Sequence, residues 1–327
     1  MKKAGKIIVY LVLALVIVTG ALLSYVKFAL PNADAAPNLS IELTPKRIAR
    51  GKYLANHVAV CIDCHSTRDW TRLSGPLDTN GIGIGGQKFD HNIGFPGKVH
   101  VPNITPFNLK DWTDGEIYRA ITSGVKKDGS AIFPIMPYNS YSKMDKEDIY
   151  SIVAYLRTLS PKESPKHERV LDFPLNFLVN TMPVKAAHQT IPSETDQLAY
   201  GAYLVNSASC KDCHTKQEKG KPIEGMDFAG GYEFKLPMGT VSSANITPDR
   251  ETGIGTWTME AFVNRFKAFE NAHNVQKIQP DGFQTVMPWT MYGAMETKDL
   301  EAIYAYLKTI KPIKNSVVKF SPALPAK

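Results

Sequence analysis

The sequence predicts an all-α fold, with two tandem helical domains behind a single apolar amino-terminal helix. Three observations carry that expectation. A set of short motifs occurs twice in the same order, around residues 47–160 and again around 197–311. Each copy ends in a stretch whose apolar residues recur at helical spacing ahead of a proline. Ile7 to Val26 is a run of 20 residues without a charge. The organisation read from these is an anchor or signal segment over 1–35, a first domain over 40–160, a Pro-rich inter-domain segment over 161–194, a second domain over 195–312 and a basic tail over 313–327.

The amino-terminal run comes after Lys2, Lys3 and Lys6 and precedes Lys27. A helix of this length spans about 30 Å of hydrocarbon. Leading basic residues hold that end in the cytoplasm and send the rest of the chain across. A cleaved signal peptide is the alternative, with Ala33-Asp34-Ala35 as its small-residue site. Signal peptides usually have a shorter apolar core of about 7–15 residues, which favours a retained anchor. Both readings export the remainder of the chain.

The repeat is detailed. Gly51-Lys52-Tyr53-Leu54 matches Gly201-Ala202-Tyr203-Leu204, and Gly85-Gly86 with Phe89 matches Gly230-Gly231 with Phe234. Asn103-Ile104-Thr105-Pro106 matches Asn245-Ile246-Thr247-Pro248, and Trp112-Thr113 matches Trp257-Thr258. Met136-Pro137 stands 19 residues before Tyr155, as Met287-Pro288 stands 19 before Tyr306. A duplicated domain explains this order.

Within each copy, a first helix runs toward the cysteines and a last one closes the repeat. Thr44 followed by Pro45 opens the first helix of copy one, and Ser193 or Thr195 opens that of copy two. Asp145 caps a closing helix with Ile149, Ile152, Val153 and Leu156 on one face; Leu300, Ile303, Tyr304 and Leu307 repeat that face. Pro161 and Pro312 stop these helices. Gly51 and Gly201 lie inside predicted helices, where glycine costs about 1 kcal/mol relative to alanine, so a close crossing of first and last helices is expected there. The inter-domain segment carries Phe173, Leu175, Phe177, Leu178 and Val179, apolar groups that a flexible linker does not need. It is expected to pack across one or both domains, and the tail after Lys314 to lie on the surface.

The formal charge is +7, of which three lysines belong to the amino-terminal targeting segment. No dense basic stretch interleaved with aromatics is present, so nucleic-acid binding is not expected.

All four cysteines fall in two pairs, each followed by histidine: Cys61-Ile62-Asp63-Cys64-His65 and Cys210-Lys211-Asp212-Cys213-His214. C-x-x-C-H is the attachment pattern of c-type haem, with thiols spaced for the porphyrin vinyl groups and a histidine placed to bind iron. Two haem c groups are therefore expected, with Cys61, Cys64, Cys210 and Cys213 as covalent attachments and His65 and His214 as axial ligands. Zinc is the rival, but a structural zinc site takes four ligands from nearby motifs and each copy offers three. A redox dithiol would need a thioredoxin-like alternation of strands and helices that is missing.

The other axial position decides the chemistry. A methionine thioether there raises the potential and favours electron transfer; an open position favours ligand binding. Met136 and Met287, each before proline and 71 and 73 residues after the histidine, are the candidates. His91, His100, Met144, Met226, Met238, Met259, His273, Met291 and Met295 compete, and are read as lying outside the repeat pattern. Asn103, Trp112, Asn245 and Trp257 are candidate propionate contacts through amide and indole N–H groups. Gly81-Ile82-Gly83-Ile84-Gly85-Gly86 fits G-x-G-x-x-G, but without the strand before and helix after it that a dinucleotide site requires.

The stretches Asn103-Ile-Thr-Pro, Asp111-Trp-Thr-Asp-Gly-Glu, Gly124-Val-Lys-Lys-Asp-Gly-Ser, Met136-Pro-Tyr and Asn245-Ile-Thr-Pro-Asp-Arg-Glu-Thr-Gly-Ile-Gly-Thr-Trp-Thr resemble the cytochrome c subunits of membrane-bound alcohol, gluconate and aldose dehydrogenases. The resemblance implies tandem class I cytochrome c domains with His/Met ligation. It implies an electron carrier, not an enzyme, that relays electrons to the respiratory chain from a dehydrogenase subunit. Redox partners would be that subunit, a quinol-linked complex or a terminal oxidase. The expected location is the bacterial inner membrane, with the amino terminus cytoplasmic and the haem domains periplasmic. Many members of that family carry three haems, whereas this chain has two attachment motifs; its second repeat also has an insertion, Ala268 to Phe283. A di-haem peroxidase is the alternative enzyme reading; sulfur oxidation would favour an unusual ligand such as cysteine, and no spare cysteine exists.

Overall fold

The computed structural model describes residues 2–218, 220–279 and 282–323. Helix α1 (Lys2–Phe28) is long and apolar enough to cross a bilayer, and its apolar side chains are exposed. The first repeat has α2 (Pro45–Tyr53), which runs on through a π-type turn at Leu54–Val58, then α3 (Cys61–Cys64), α4 (Pro106–Leu109), α5 (Asp114–Ser123), α6 (Tyr138–Tyr141) and α7 (Lys146–Thr158). The connecting segment holds α8 (Leu175–Leu178). The second repeat has α9 (Gln197–Ser207), α10 (Cys210–His214), α11 (Met259–Lys267), α12 (Trp289–Tyr292) and α13 (Thr297–Leu307).

Local chemistry explains the ends. The Thr44 hydroxyl accepts the Arg47 N–H at 3.2 Å, with Pro45 preset for the first turn. Asp145 accepts the Glu147 N–H at 2.8 Å, and Thr113 and Glu116 form a reciprocal capping box on α5. The first helix of the second repeat is capped not by Ser193 or Thr195 but by Asp196, which accepts the Ala199 N–H at 3.1 Å. Ser193 and Thr195 instead spend their hydroxyls on each other at 2.8 Å.

The expected close crossing is present in both repeats. A Cβ on Gly51 would sit 1.7 Å from the Ser151 carbonyl oxygen of α7, and one on Gly201 would sit 2.0 Å from that of Ala302 on α13. Only a residue without a side chain lets these backbones meet.

The all-α expectation is overturned. Eight short strands form three antiparallel sheets among the described residues. β1 (Lys88–Asp90), β2 (Gly97–His100) and β3 (Val170–Leu171) make one, with Phe89 opposite Val99 and Gly97 opposite Leu171. β4 (Gln217–Glu218) pairs with β5 (Lys221–Pro222). β6 (Glu233–Leu236), β7 (Gly239–Ser242) and β8 (Phe320–Pro322) repeat the first sheet, with Phe234 opposite Val241 and Val241 opposite Phe320. The fold is mixed. Strands of two to four residues are too short to show a two-residue period, and each larger sheet takes its third strand from far along the chain. Phe320–Pro322 of the expected tail are therefore part of the second repeat's sheet, and residues 324–327 lie outside the described residues.

One apolar core runs through both repeats, including Leu54, Ile62, Ile149 and Ile152 of the first and Leu204, Leu300 and Leu307 of the second. A smaller cluster of Phe95, Ala131, Leu171 and Val179 lies under the β1–β2–β3 sheet. The connecting segment lies along the first repeat. Val184 N–H reaches the Ser123 carbonyl at 3.1 Å, Ala187 that of Ser142 at 2.8 Å, and Ile191 the Asp145 carboxylate at 3.1 Å.

The repeats face each other about a pseudo-twofold axis. Tyr53 of α2 donates to Asp299 of α13 at 2.6 Å, and its counterpart Tyr203 of α9 donates to Asp148 of α7 at 2.6 Å. Each tyrosine oxygen also accepts the backbone N–H that opens the opposite helix, from Glu296 at 3.0 Å and Asp145 at 3.2 Å. This is the self-complementary pattern of a twofold dimer built within one chain. It is not fully symmetric: Arg50 grips Asp148 with two bonds of 2.9 Å, whereas the matching Tyr200 reaches Asp299 at 3.1 Å.

Candidate functional site

Both C-x-x-C-H motifs are short helices entered through a strained residue. Val60 before Cys61 has φ of 44° and Ser209 before Cys210 has φ of 52°. A left-handed β-branched residue is unusual, and such strain persists where the surroundings fix it. The left-handed residue breaks the run of right-handed helical backbone, so that each short helix begins on a cysteine.

The histidines are oriented identically. His65 Nδ1 lies 2.8 Å from the Pro102 carbonyl, and His214 Nδ1 lies 2.7 Å from that of Ala244, the residue before each Asn-Ile-Thr-Pro. A carbonyl cannot donate, so Nδ1 carries the proton and Nε2 keeps its lone pair, the arrangement a metal ligand needs. Burial lowers both histidines below their ordinary range, with the carbonyl bond opposing it, which keeps the rings neutral. The loop approaches through glycine: Gly85 N–H bonds the His65 carbonyl at 2.8 Å and Gly230 N–H that of His214 at 2.7 Å. A Cβ at either would collide with backbone of Val101–Pro102 or Ala244 within 2.6 Å.

The thiols are unpaired. Burial pushes Cys61, Cys64 and Cys210 up to about 12 and Cys213 up to about 11. Thiols held neutral are poor nucleophiles and poor redox dithiols. Among the described residues no three His, Cys, Asp or Glu side chains converge to hold a bare metal ion. A donor set of two thiols and one neutral imidazole with a free Nε2 does fit a haem that brings its own four nitrogens.

The methionine turns reach the same place. Tyr141, five residues after Met136, donates to the Ala59 carbonyl at 2.7 Å; Tyr292, five after Met287, donates to that of Ala208 at 2.9 Å. Ala59 and Ala208 each stand two residues before the first cysteine of their motif. Met136 and Met287 are partly buried against the core, as Cys61 and Cys210 are. Of the competitors, Met144, Met291 and Met295 are buried core, and His91 pairs with Asp172 at 2.7 Å. Contrary to the expectation that no competitor shares the repeat pattern, Met144 and Met295 occupy matching positions, eight residues after Met136 and Met287. Their complete burial gives that recurrence a packing cause.

The asparagines are loop locks. Asn103 accepts from both the N–H and the hydroxyl of Thr105 at 2.8 Å, and donates to the Lys162 carbonyl and the Ser164 hydroxyl. Asn245 does the same with Thr247, Ile313 and Thr252. Both amide hydrogens of each are thereby engaged. Trp112 packs on the core and Trp257 is 38 % exposed.

The two sites adjoin. Burial raises the Tyr141 and Tyr292 phenols well above their ordinary range, and the carboxylate of the opposite motif, Asp212 for Tyr141 and Asp63 for Tyr292, pushes the same way. A chain of contacts that the sequence did not reveal also links them. Asp63, inside the first motif, pairs with buried Arg68 at 2.7 Å. Burial raises the Asp63 carboxyl to about 6, against the pull of Arg68. Arg68 donates to the Ser74 and Gly75 carbonyls. Ser74 donates to the Met287 carbonyl at 2.6 Å and accepts the Trp289 N–H at 3.1 Å. Gln284, 1 % exposed, accepts the Ser74 and Thr285 N–H groups and donates to the Trp70 and Arg72 carbonyls. The loop after the first attachment motif thus clamps the turn that carries Met287. The insertion before Met287 was the one sequence signal that pointed here.

No family model matches the chain. It is 27 % identical over 88 % of its length to the cytochrome c subunit of alcohol dehydrogenase (quinone) from Gluconacetobacter polyoxogenes, and 26 % identical over 80 % to the gluconate 2-dehydrogenase cytochrome c subunit of Pantoea cypripedii. It is 28 % identical over 58 % to a dihaem cytochrome c-type protein of Cereibacter sphaeroides. It spans 58 %, 59 % and 63 % of the length of those three proteins. Over most of its length, then, the chain is a homologue, at moderate identity, of cytochrome c subunits of alcohol and gluconate dehydrogenases and of a dihaem cytochrome c.

Proposed function

We propose that the chain is a two-haem electron carrier, tethered by α1 to the bacterial inner membrane with its haem domains in the periplasm, that passes electrons from a dehydrogenase toward a quinol-linked complex or a terminal oxidase. Cys61 and Cys64 attach one haem, ligated by His65 and Met136. Cys210 and Cys213 attach the other, ligated by His214 and Met287. The bound haem iron supplies one-electron chemistry. The residues do the rest. Pro102 and Ala244 fix the imidazole tautomer, burial keeps it neutral, and the tyrosine ties hold each methionine turn against its attachment helix. Trp112 and Trp257 remain the candidate propionate contacts; the amides of Asn103 and Asn245 already have partners.

The observation that carries this reading is the duplicated tie of Tyr141 to Ala59 and Tyr292 to Ala208. It supports a sixth ligand from each Met-Pro turn and therefore closed, electron-transferring iron. The test is a haem count and spectrum of the purified full chain. Two covalent haems per chain, a thioether-to-iron absorption band and little carbon monoxide binding are expected. Met136→Ala and Met287→Ala should each remove about half of that band. Peroxide turnover, or carbon monoxide binding by the unaltered protein, would favour the peroxidase reading instead.

A further inference from the structure

The geometry points to a second membrane contact: the connecting segment at 173–180 rests in the lipid interface beside the carboxyl end of α1. This rests on the reading of α1 as a retained bilayer span. The uncharged run Ile7–Val26 rises about 30 Å at 1.5 Å per residue, the thickness of the hydrocarbon core. The Val26 carbonyl therefore marks the outer boundary of that core, and Lys27 the headgroup layer. The connecting segment touches α1 at this height. Asn180 donates its amide to the Val26 carbonyl at 3.2 Å, satisfying one of the carbonyls a helix end leaves open. The Lys27 ammonium lies 6.0 Å over the Phe177 ring.

The segment has two faces. Leu175, Val179 and Met182 pack on the small cluster under the β1–β2–β3 sheet, which fixes the segment to the first repeat. On the other face Phe173 is 78 % exposed and Leu178 46 %, with Phe173 edge-on to Phe177 at 6.2 Å. Phe28, the last residue of α1, is exposed too. Apolar groups gathered at one spot mark an interaction surface. Here the patch is continuous with the exit of the anchor helix, so the occupant is the phospholipid interface of the same bilayer. Phe and Leu with a flanking lysine are the composition interfacial segments use. The contact would hold the first repeat flat against the membrane rather than swinging on α1.

The test places the photo-crosslinker benzoylphenylalanine in the full chain, reconstituted in nanodiscs of phosphatidylethanolamine and phosphatidylglycerol. It replaces Phe173 or Leu178, with Leu15 in α1 as the lipid-exposed reference and exposed Leu198 in the second repeat as the water-exposed one. Lipid adducts at 173 and 178 comparable to those at 15, and none at 198, are expected. Adducts at 15 but not at 173 or 178 overturn the foot and leave the anchor standing. Adducts to another protein at 173 make the patch a subunit interface and overturn the lipid assignment. An intact mass lacking the first 35 residues, or no adduct at 15, overturns the anchor and the foot with it.

Discussion

Replacing Gln284 by leucine should release the turn carrying Met287 without touching either attachment motif. The side chain serves four backbone groups. One of them, the Arg72 carbonyl, keeps a second partner in the Gly75 N–H at 3.0 Å. That leaves the Ser74 and Thr285 N–H groups and the Trp70 carbonyl without a protein partner. An unsatisfied buried group costs about 1–3 kcal/mol, and loops relax, so the low end for each gives about 3 kcal/mol. That is a factor of roughly 150 in the local opening equilibrium. Hydrogen exchange followed by mass spectrometry reads it directly. Peptides containing Leu73 and Ile278, whose N–H groups close the clamp onto the Gln276 and Thr71 carbonyls, should exchange faster by about that factor. Peptides over α6 should be unchanged. In the haem-loaded protein one thioether-to-iron band should weaken and the other persist. Unchanged exchange at Leu73 and Ile278, or equal loss at both haems, would show that the clamp does not position Met287.

The same geometry sets three further outcomes. Tyr53→Phe should weaken the contact between repeats more than Tyr203→Phe, about 2 against about 1 kcal/mol, because Asp148 keeps its two bonds from Arg50 while Asp299 keeps only Tyr200; equal losses in thermal stability would contradict this. Gly51→Ala should destabilise by about 3 kcal/mol although alanine is the better helix former, since its Cβ would sit 1.7 Å from a carbonyl oxygen; a raised melting temperature would show the crossing to be compliant. His57, bonded through Nδ1 to the Met291 carbonyl at 3.0 Å, is held below its ordinary pKa by burial, against that bond, with Lys52 and Lys267 pushing the same way as burial. The unfolded chain then takes a proton near pH 6.5 that the folded one resists, so this residue costs stability as pH falls through 6.5. His57→Gln should narrow the gap between melting temperatures at pH 7.5 and pH 5.5; an unchanged gap would assign the acid sensitivity to other groups.

What the sequence determined by itself is what repeats or is local. C-x-x-C-H needs five adjacent residues, a cap needs four, and a glycine at a helix crossing betrays itself by its unfavourable place in a helical pattern. Duplication let each motif vouch for its partner. The tertiary structure decided the sheets, because strands of two to four residues carry no readable period and their third members, Val170–Leu171 and Phe320–Pro322, arrive from outside the motif-bearing stretches. It also decided that Asn103 and Asn245 lock loops, since an amide's partner is set by which carbonyl folds against it. Above all it decided how the halves meet. Tyr53 and Asp299, or Ser74 and Met287, are more than 200 residues apart in the chain. Nothing local distinguishes a tyrosine that will bond across a pseudo-twofold interface from one that fills a core; only the packing of one repeat on the other makes the difference.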